Sequence, residues 1–300
     1  MAIPESQLVT WSGRGAITNS TASYNSVRTA LLAPQSRTAS RNPDVFLQGS
    51  YANATNIFGD SDVDVVVLTD TVFFKDVSAL DANQRQLQVN AHSAATYGWA
   101  DFRADVLQTL RAYYGNGRVS ERDRCIKVDF GQGRIAADVI PAFQHKKYGY
   151  FYSGVLQSYT EGIEFRNRAG VPIVNFPKQH ISNGEAKNAT GRTNGWFKGT
   201  VRMFKNARNR LTQDRVIVGD ICTSYFIECL VYNAPDDLFG GTYQGTFTKI
   251  VDYWAYTVHP DQCVCQNGIT PLFGSSLVQW KIPEAAQLVQ GLRTLWLNWT

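Results

Sequence analysis

The sequence is short of the features that mark several broad classes of protein. In 300 residues no apolar run approaches the roughly 20 needed to span a bilayer, so no membrane partner is expected. The opening MAIPESQLVTW has neither the basic nor the apolar region of a secretion signal, which predicts a cytoplasmic chain. The N-x-S/T sequences at Asn19, Asn53 and Asn188 then carry no glycan. A strong basic excess is also missing. Lys and Arg number 29 against 25 Asp and Glu, and a net charge of +4 is too slight to be the footprint of a long nucleic acid. No obligatory nucleic-acid activator is expected. With five cysteines and a cytoplasmic setting, free thiols are expected rather than disulfides. His259, Cys263 and Cys265 have metal-ligating side chains but lack the two paired knuckles of a structural zinc site, and Cys222 and Cys229 read as small core residues. There is no internal repeat and no low-complexity tract.

What remains is an ordinary globular composition, 44% apolar and 18% charged, long enough for one large domain or two moderate ones. Its most informative stretch is Gln48–Leu68, QGSYANATNIFGDSDVDVVVL. Gly49-Ser50 is followed by eleven residues and then by Asp62-Val63-Asp64-Val65, with Val66 and Val67 continuing the apolar run. Alternate side chains of a strand share a face, so Asp62 and Asp64 point the same way, roughly 6–7 Å apart. Two like charges on one face of a valine strand are costly unless a cation neutralises them, and hard oxygen ligands suit magnesium. Asp60, Asp62 and Asp64 also resemble the opening of a calcium loop, but residue 71 is Thr where that loop needs its closing Glu. An exposed acidic strand without chemistry is opposed by Val63, Val65 and Val67, which make the other face core. Gly49 permits close backbone approach to a ligand, and Ser50 offers a hydroxyl and an amide.

Tyr24, Val27 and Leu31 fall at helical spacing, and Pro34 stops that helix. Thr69–Val77 leads into a long polar helical region, Ala79–Tyr97, and Phe102, Val106, Leu110 and Tyr113 or Tyr114 form an apolar stripe that reads as core. Cys125–Phe130 and Arg134–Ile140 are expected to form a hairpin through Gly131-Gln132-Gly133. On its second strand Asp138 shares a face with Ala136 and Ile140, and Pro141 is expected to end the strand. Asp138 is therefore favoured as third ligand over Asp129, which shares a face with Lys127 and reads as part of a solvated cross-strand pair.

Residues 144–200 read as strands, loops and a linker into a second lobe. From there Val201, Phe204, Ala207 and Leu211 line one side of a helix that carries Arg202, Lys205, Arg208 and Arg210. Of these, Arg202 and Lys205 share an edge, and one of them is placed to reach a phosphate. A further helix, Asp220–Asn233, turns Phe226, Ile227 and Leu230 inward. Near its start Ser224 either caps the helix or binds an anion, and Tyr225 either packs or stacks on a base. Glu284–Thr300 closes with an amphipathic helix through Ala286, Val289, Leu292 and Leu295 or Trp296.

Gly49, Ser50, Asp62, Asp64 and Asp138 together resemble the nucleotidyltransferase superfamily of DNA polymerase β, poly(A) polymerases and oligoadenylate synthases. That pattern has a Gly-Ser turn, an acid-apolar-acid strand and a third acid on a later strand. A narrower resemblance is to the bacterial cyclic-oligonucleotide synthases of antiphage (CBASS) defence, relatives of cyclic GMP-AMP synthase. It rests on Gln48-Gly49-Ser50, Asp138-Val139-Ile140-Pro141-Ala142, the helix Val201–Leu211, and Ser224-Tyr225 followed by Glu228. The resemblance implies an α+β protein of the polymerase β-like fold, with a mixed-sheet catalytic lobe over 1–195 and a mainly helical nucleotide-binding lobe over 196–300. It implies two Mg²⁺ ions, replaceable by Mn²⁺, on Asp62, Asp64 and Asp138. Gln48, Gly49 and Ser50 would bind nucleotide, Lys205 and Ser224 would hold the donor triphosphate, and Tyr225 would stack on its base. The substrates would be nucleoside triphosphates, and a downstream effector would bind the cyclic product rather than the enzyme. The alternatives are a linear oligoadenylate synthase, an antibiotic-modifying nucleotidyltransferase, and an inert nucleotide-binding sensor.

Overall fold

The computed structural model describes residues 1–15, 17–59, 62–131, 134–218, 221–276 and 278–299. Asp60, Gln132, Gly133 and Asp220, which entered the sequence reading as a calcium-loop position, a hairpin turn and a helix start, lie outside the described residues. The chain divides into two compact units, one of Ile17–Gln48 and Ser61–Pro177, the other of Met1–Ala16, Gly49–Asp60 and Lys178–Thr300. The main division thus falls at 177/178 rather than at 195/196, and the helical unit also takes two early segments. The reason is local packing: Leu8 on helix α1 (Glu5–Ser12) joins the same buried cluster as Phe197 and Phe204. The Gly49–Asp60 segment, which opens with the short helix α3 (Gly49–Ala52), is gripped through its carbonyls, as described below.

The first unit is a mixed sheet. Its strands are β1 (Asp44–Leu47), β2 (Asp62–Asp76), β3 (Val119–Glu121), β4 (Ile126–Val128), β5 (Ala136–Phe151), β6 (Gln157–Arg166) and β7 (Pro172–Asn175). The order is β1-β2-β5-β4-β3, with β6 pairing β5 and β7 pairing β6; β2 and β5 run parallel and the other pairs antiparallel. Val63, Val65, Val66 and Val67 are fully buried, so β2 is a central strand whose acids sit where one face is still partly open. Helices α2 (Thr18–Leu32) and α5 (Trp99–Tyr114) pack on the sheet and bury the expected Val27, Leu31, Phe102, Val106 and Leu110.

Three sequence expectations change here. Thr69–Val77 mostly continues β2, which stays paired with β5 out to Asp76 and Lys147 after an irregularity between Thr69 and Phe73. The polar helix expected over Ala79–Tyr97 is only α4 (Ala82–Asn90), started by Asp81, whose carboxylate accepts from the Gln84 amide at 2.8 Å. Pro141 does not end its strand. On that side β5 has β4 as neighbour up to Val139 and β6 from Phe143, so the proline falls in the gap between them, where a missing N–H costs no ladder bond.

The second unit contains α6 (Pro177–Asn188), α7 (Trp196–Gln213), α8 (Ser224–Tyr232), α9 (Tyr243–Tyr256) and α10 (Ile282–Leu297). Val201, Phe204, Ala207 and Leu211 of α7 meet Phe226, Ile227 and Leu230 of α8 in one core, as their spacing predicts. Helix α9 went unread in the sequence, and it buries Phe247, Ile250 and Trp254 in the same core. On α10 the buried stripe runs through Ala285, Leu288, Val289, Leu292 and Leu295, leaving Ala286 outside it.

Candidate active site

In the sheet unit, the parallel register places Asp64 of β2 directly beside Asp138 of β5. The antiparallel register on the far side places Lys127 of β4 beside Asp138. Lys127 Nζ also donates to Asp62 Oδ1 at 2.8 Å. Three neighbouring strands thus bring Asp62, Asp64, Asp138 and one lysine to a single face. Asp129 lies beyond the end of β4, exposed, with Oδ1 accepting from the Gly131 amide at 2.9 Å. The solvated face expected for Asp129 and Lys127 is divided: Asp129 is exposed, whereas Lys127 is half-buried and paired with Asp62. Strand β4 stops at Val128, so the lysine finds its carboxylate across the sheet instead. The signal was available in the hairpin, since pairing its strands from Val128 and Ala137 sets Lys127 opposite Asp138.

The electrostatics follow from this crowding. Burial raises the Asp138 carboxyl above its ordinary value and the charge of Asp62 raises it further, against a hydrogen bond from Cys125 and the charge of Lys127. Burial and then the Asp138 charge push the Cys125 thiol up to about 12, which keeps it a protonated donor. The hydrogen bond to Asp62 raises the Lys127 ammonium.

Oδ1 of Asp138 is buried without a hydrogen-bond partner, although such atoms are nearly always paired. That orphaned oxygen, beside two further carboxylates, fits a divalent ion by donor chemistry. Among the described residues no three His, Cys, Asp or Glu side chains already form a metal cage. One oxygen of Asp62 is engaged by Lys127.

Gln48 closes the sheet unit's first strand, its amide donating to the Asp64 carbonyl at 3.0 Å. Gly49 has φ 69°, a conformation that glycine adopts without strain. Its carbonyl accepts from the Asn53 amide at 3.1 Å, and the Ser50 carbonyl accepts from Thr55 at 2.9 Å, folding the segment into a tight turn.

The helical unit gives α7's cations a task that the sequence reading did not foresee. Arg202 donates to the carbonyls of Ser12 and Ala54, each at 2.6 Å. Lys205 is fully buried, its Nζ donating to the Thr55 carbonyl at 2.9 Å. Both side chains hold the backbone around the Gly49-Ser50 turn. Arg208, one helical turn beyond Lys205 and only half-buried, donates to Ser224 Oγ at 3.3 Å and to the Cys222 carbonyl. Ser224 does not cap α8. Thr223 does, accepting from the Phe226 amide, so the Ser224 hydroxyl is left to Arg208.

Tyr225 stacks on His180, with ring centroids 5.2 Å apart and planes at 24°. Burial, followed by the neighbouring Cys229 and Cys265 thiols, raises its hydroxyl well above the ordinary phenol value. Behind it lies a network unread in the sequence. His180 Nε2 meets Glu228 Oε2 at 3.0 Å, and Thr55 Oγ1 donates to Glu228 Oε1 at 2.5 Å. Burial raises the Glu228 carboxyl, but the His180 hydrogen bond, the His180 and Lys205 charges and the Thr55 hydroxyl outweigh it, so it lies below its ordinary value. The sequence signal was weak: Glu228 follows Tyr225 by three residues on one helix face, while His180 comes from a distant helix.

All five cysteines are free and buried, Cys263 and Cys265 included, and the described residues around them form no metal cluster.

Residues 182–297 match the C-terminal helical domain of the cGAS/DncV-like nucleotidyltransferases. Over its whole length the chain is 39% identical to a cyclic UMP-AMP synthase of Rhodothermus marinus, covering 99% of that protein. It is 36% identical to the cyclic nucleotide synthase CdnE01 of Staphylococcus haemolyticus, with all of both chains covered. The structure of the Rhodothermus marinus CdnE c-UMP-AMP synthase with Apcpp and Upnpp superimposes with a TM-score of 0.86, covering 99% of this chain and 97% of that one. The chain belongs to the cGAS/DncV-like nucleotidyltransferases and has their polymerase β-like fold. It is a nucleotidyltransferase, and divalent-metal dependence comes with that class.

Proposed function

We propose that the chain condenses nucleoside triphosphates into a cyclic di- or oligonucleotide, with Asp62, Asp64 and Asp138 as its catalytic acids. The observation that carries this reading is the pairing of Asp64 with Asp138 in register, with one Asp138 oxygen buried and unpartnered. Divalent ions, two Mg²⁺ in this reading, supply Lewis-acid stabilisation of the phosphates and activate the attacking hydroxyl. Asp62 and Asp64 would ligate both ions and Asp138 one. Asp138 would also help accept the hydroxyl proton. The amide and hydroxyl of Ser50, in the turn that Arg202 and Lys205 hold, would bind phosphate. Ser224 would bind the donor triphosphate with Arg208 beside it, Lys205 would act from behind the turn, and the partly exposed Tyr225 would stack on the base.

The product would act as a second messenger on a separate effector protein in antiphage signalling, made in the cytoplasm without a nucleic-acid activator. The test is incubation with the four nucleoside triphosphates and Mg²⁺, with nothing else added, followed by mass spectrometry. The named activity of the Rhodothermus marinus relative makes a mixed UMP-AMP ring the first product to look for. A linear 2′-5′ product would favour the oligoadenylate-synthase reading. Product only with an added aminoglycoside would favour the antibiotic-modifying one, and none under any condition the inert sensor.

A further inference from the structure

His180 and Glu228 are both buried, at 5% and 3% exposure. An ionised carboxylate in such a place costs several kcal/mol unless it is fully hydrogen-bonded, and an apolar pair of similar volume would serve stability as well. The pair's contacts are directional. Glu228 takes the imidazole N–H on one oxygen and the Thr55 hydroxyl on the other, which fixes the ring in rotation. The His180 backbone is fixed as well, its carbonyl accepting from Gln266 Nε2 at 2.8 Å. Gln266 is in turn tied by its amide to Cys229 Sγ at 3.3 Å, one helical turn from Tyr225. The imidazole so held lies nearly parallel to the Tyr225 ring at stacking distance.

We propose that His180 is a positioning residue for the nucleobase: held by Glu228, its ring sets the plane of Tyr225 and hence the plane in which the base of a bound nucleoside triphosphate stacks. The inference rests on the base-stacking role assigned to Tyr225 above. The Cys229 and Cys265 thiols hold the hydroxyl end of Tyr225 but not the rotation of the ring about its own long axis, and a base stacked on a tilting ring loses contact area and direction. A second ring stacked beneath removes that freedom in advance, so the base meets a platform already in place. The triphosphate is untouched by this device, which sets a clear expectation: losing the imidazole ring weakens the nucleoside part of recognition and leaves the phosphate part alone.

The experiment titrates the full chain, by calorimetry in Mg²⁺, with a non-hydrolysable ATP analogue and separately with inorganic tripolyphosphate. His180→Gln retains a donor for Glu228 and removes the ring. It is expected to weaken the analogue about tenfold and tripolyphosphate less than twofold, and in turnover to raise KM more than it lowers kcat. His180→Phe retains a ring beneath Tyr225 and is expected to hold the analogue within about threefold of wild type. In a Tyr225→Leu background, His180→Gln is expected to change neither affinity further. Equal loss of both ligands in His180→Gln, an unchanged analogue affinity, or a further tenfold loss in the Tyr225→Leu background overturns the inference. Should His180→Gln fail to fold, His180→Phe decides alone, and a tenfold loss of the analogue with tripolyphosphate unchanged overturns it. If Tyr225→Leu by itself leaves the analogue affinity unchanged, the base-stacking assignment fails, an outcome separable from failure of the His180 inference.

Discussion

Asp64 and Asp138 are register partners on two adjacent parallel strands, so the backbone ladder sets their carboxylates on neighbouring positions of one face. Asp138 carries the strain of the site: burial raises its carboxyl, the charge of Asp62 raises it further, and one of its oxygens is buried without a partner, a strain to be relieved by a proton or by a cation.

Asp138→Asn is therefore expected to abolish nucleotidyl transfer while leaving the metal-free protein slightly more stable, with Tm up by about 2 °C. The sign of the pH dependence follows. A carboxyl whose folded pKa is raised binds more protons folded than unfolded, so metal-free stability falls as pH rises from its ordinary value through the raised one. Asn at this position removes that fall. Thermal melts at several pH values in chelator check this, and a Tm loss in Asp138→Asn speaks against the strain. The double change of Asp62 and Asp64 to Asn is expected to remove activity with the far-ultraviolet circular dichroism unchanged.

If Asp62 ligates a metal as proposed, Lys127 would compete with the ion for it. The 2.8 Å ion pair is partly exposed, so losing it costs the fold less than about 1 kcal/mol. Lys127→Met is expected to tighten Mn²⁺ binding in the absence of nucleotide by roughly three- to tenfold, read by electron paramagnetic resonance. Weaker Mn²⁺ binding in this variant would mean that the lysine organises the acids instead of opposing the ion.

Lys205 and Arg210 lie on one helix and should behave differently. Lys205→Ala removes a buried, charge-assisted bond to the loop that carries Gly49-Ser50, with a cost of about 1.5–3 kcal/mol and a marked fall in activity. Arg210 pairs with Asp214 at 2.6 Å on the partly exposed side, and Arg210→Ala is expected to change stability by about 0.5 kcal/mol or less, with activity retained. Denaturant melts and steady-state rates on the two variants make the comparison; equal effects would remove any special place for Lys205.

Glu228 predicts an acid limit. Its folded carboxyl lies below the ordinary value, so its contribution to stability is full at neutral pH and is lost as pH falls below about 4.5 and through the folded value. Glu228→Gln is expected to be less stable than wild type at pH 7, with the gap narrowing steadily as pH falls below the ordinary carboxylate value. Parallel urea titrations at a series of acid pH values measure it, and a gap that does not change with pH would assign the cost to packing rather than charge.

The local chemistry of this protein was legible in the sequence. Strand alternation put Asp62 and Asp64 on one face, Asp138 stood out as an acid among apolar neighbours, and helical spacing marked the buried sides of α5, α7 and α8. Each depends on neighbours within a few residues, where backbone geometry alone dictates which side chains share a face. Partnership across the fold was not legible. That Lys127 meets Asp62, that Arg202 and Lys205 grip carbonyls of the Gly49–Asp60 segment, and that His180 and Glu228 lie behind Tyr225 were decided by strand register and by packing among helices distant in the chain. A lysine on a strand or an amphipathic helix reads the same whether it ends in water, on a phosphate, on a carboxylate or on a buried carbonyl, because the residues that settle its fate lie 65 and 150 positions away in these two lysine pairings. Tertiary structure chose among those ends by giving each of the two buried or half-buried ammonium groups an oxygen partner.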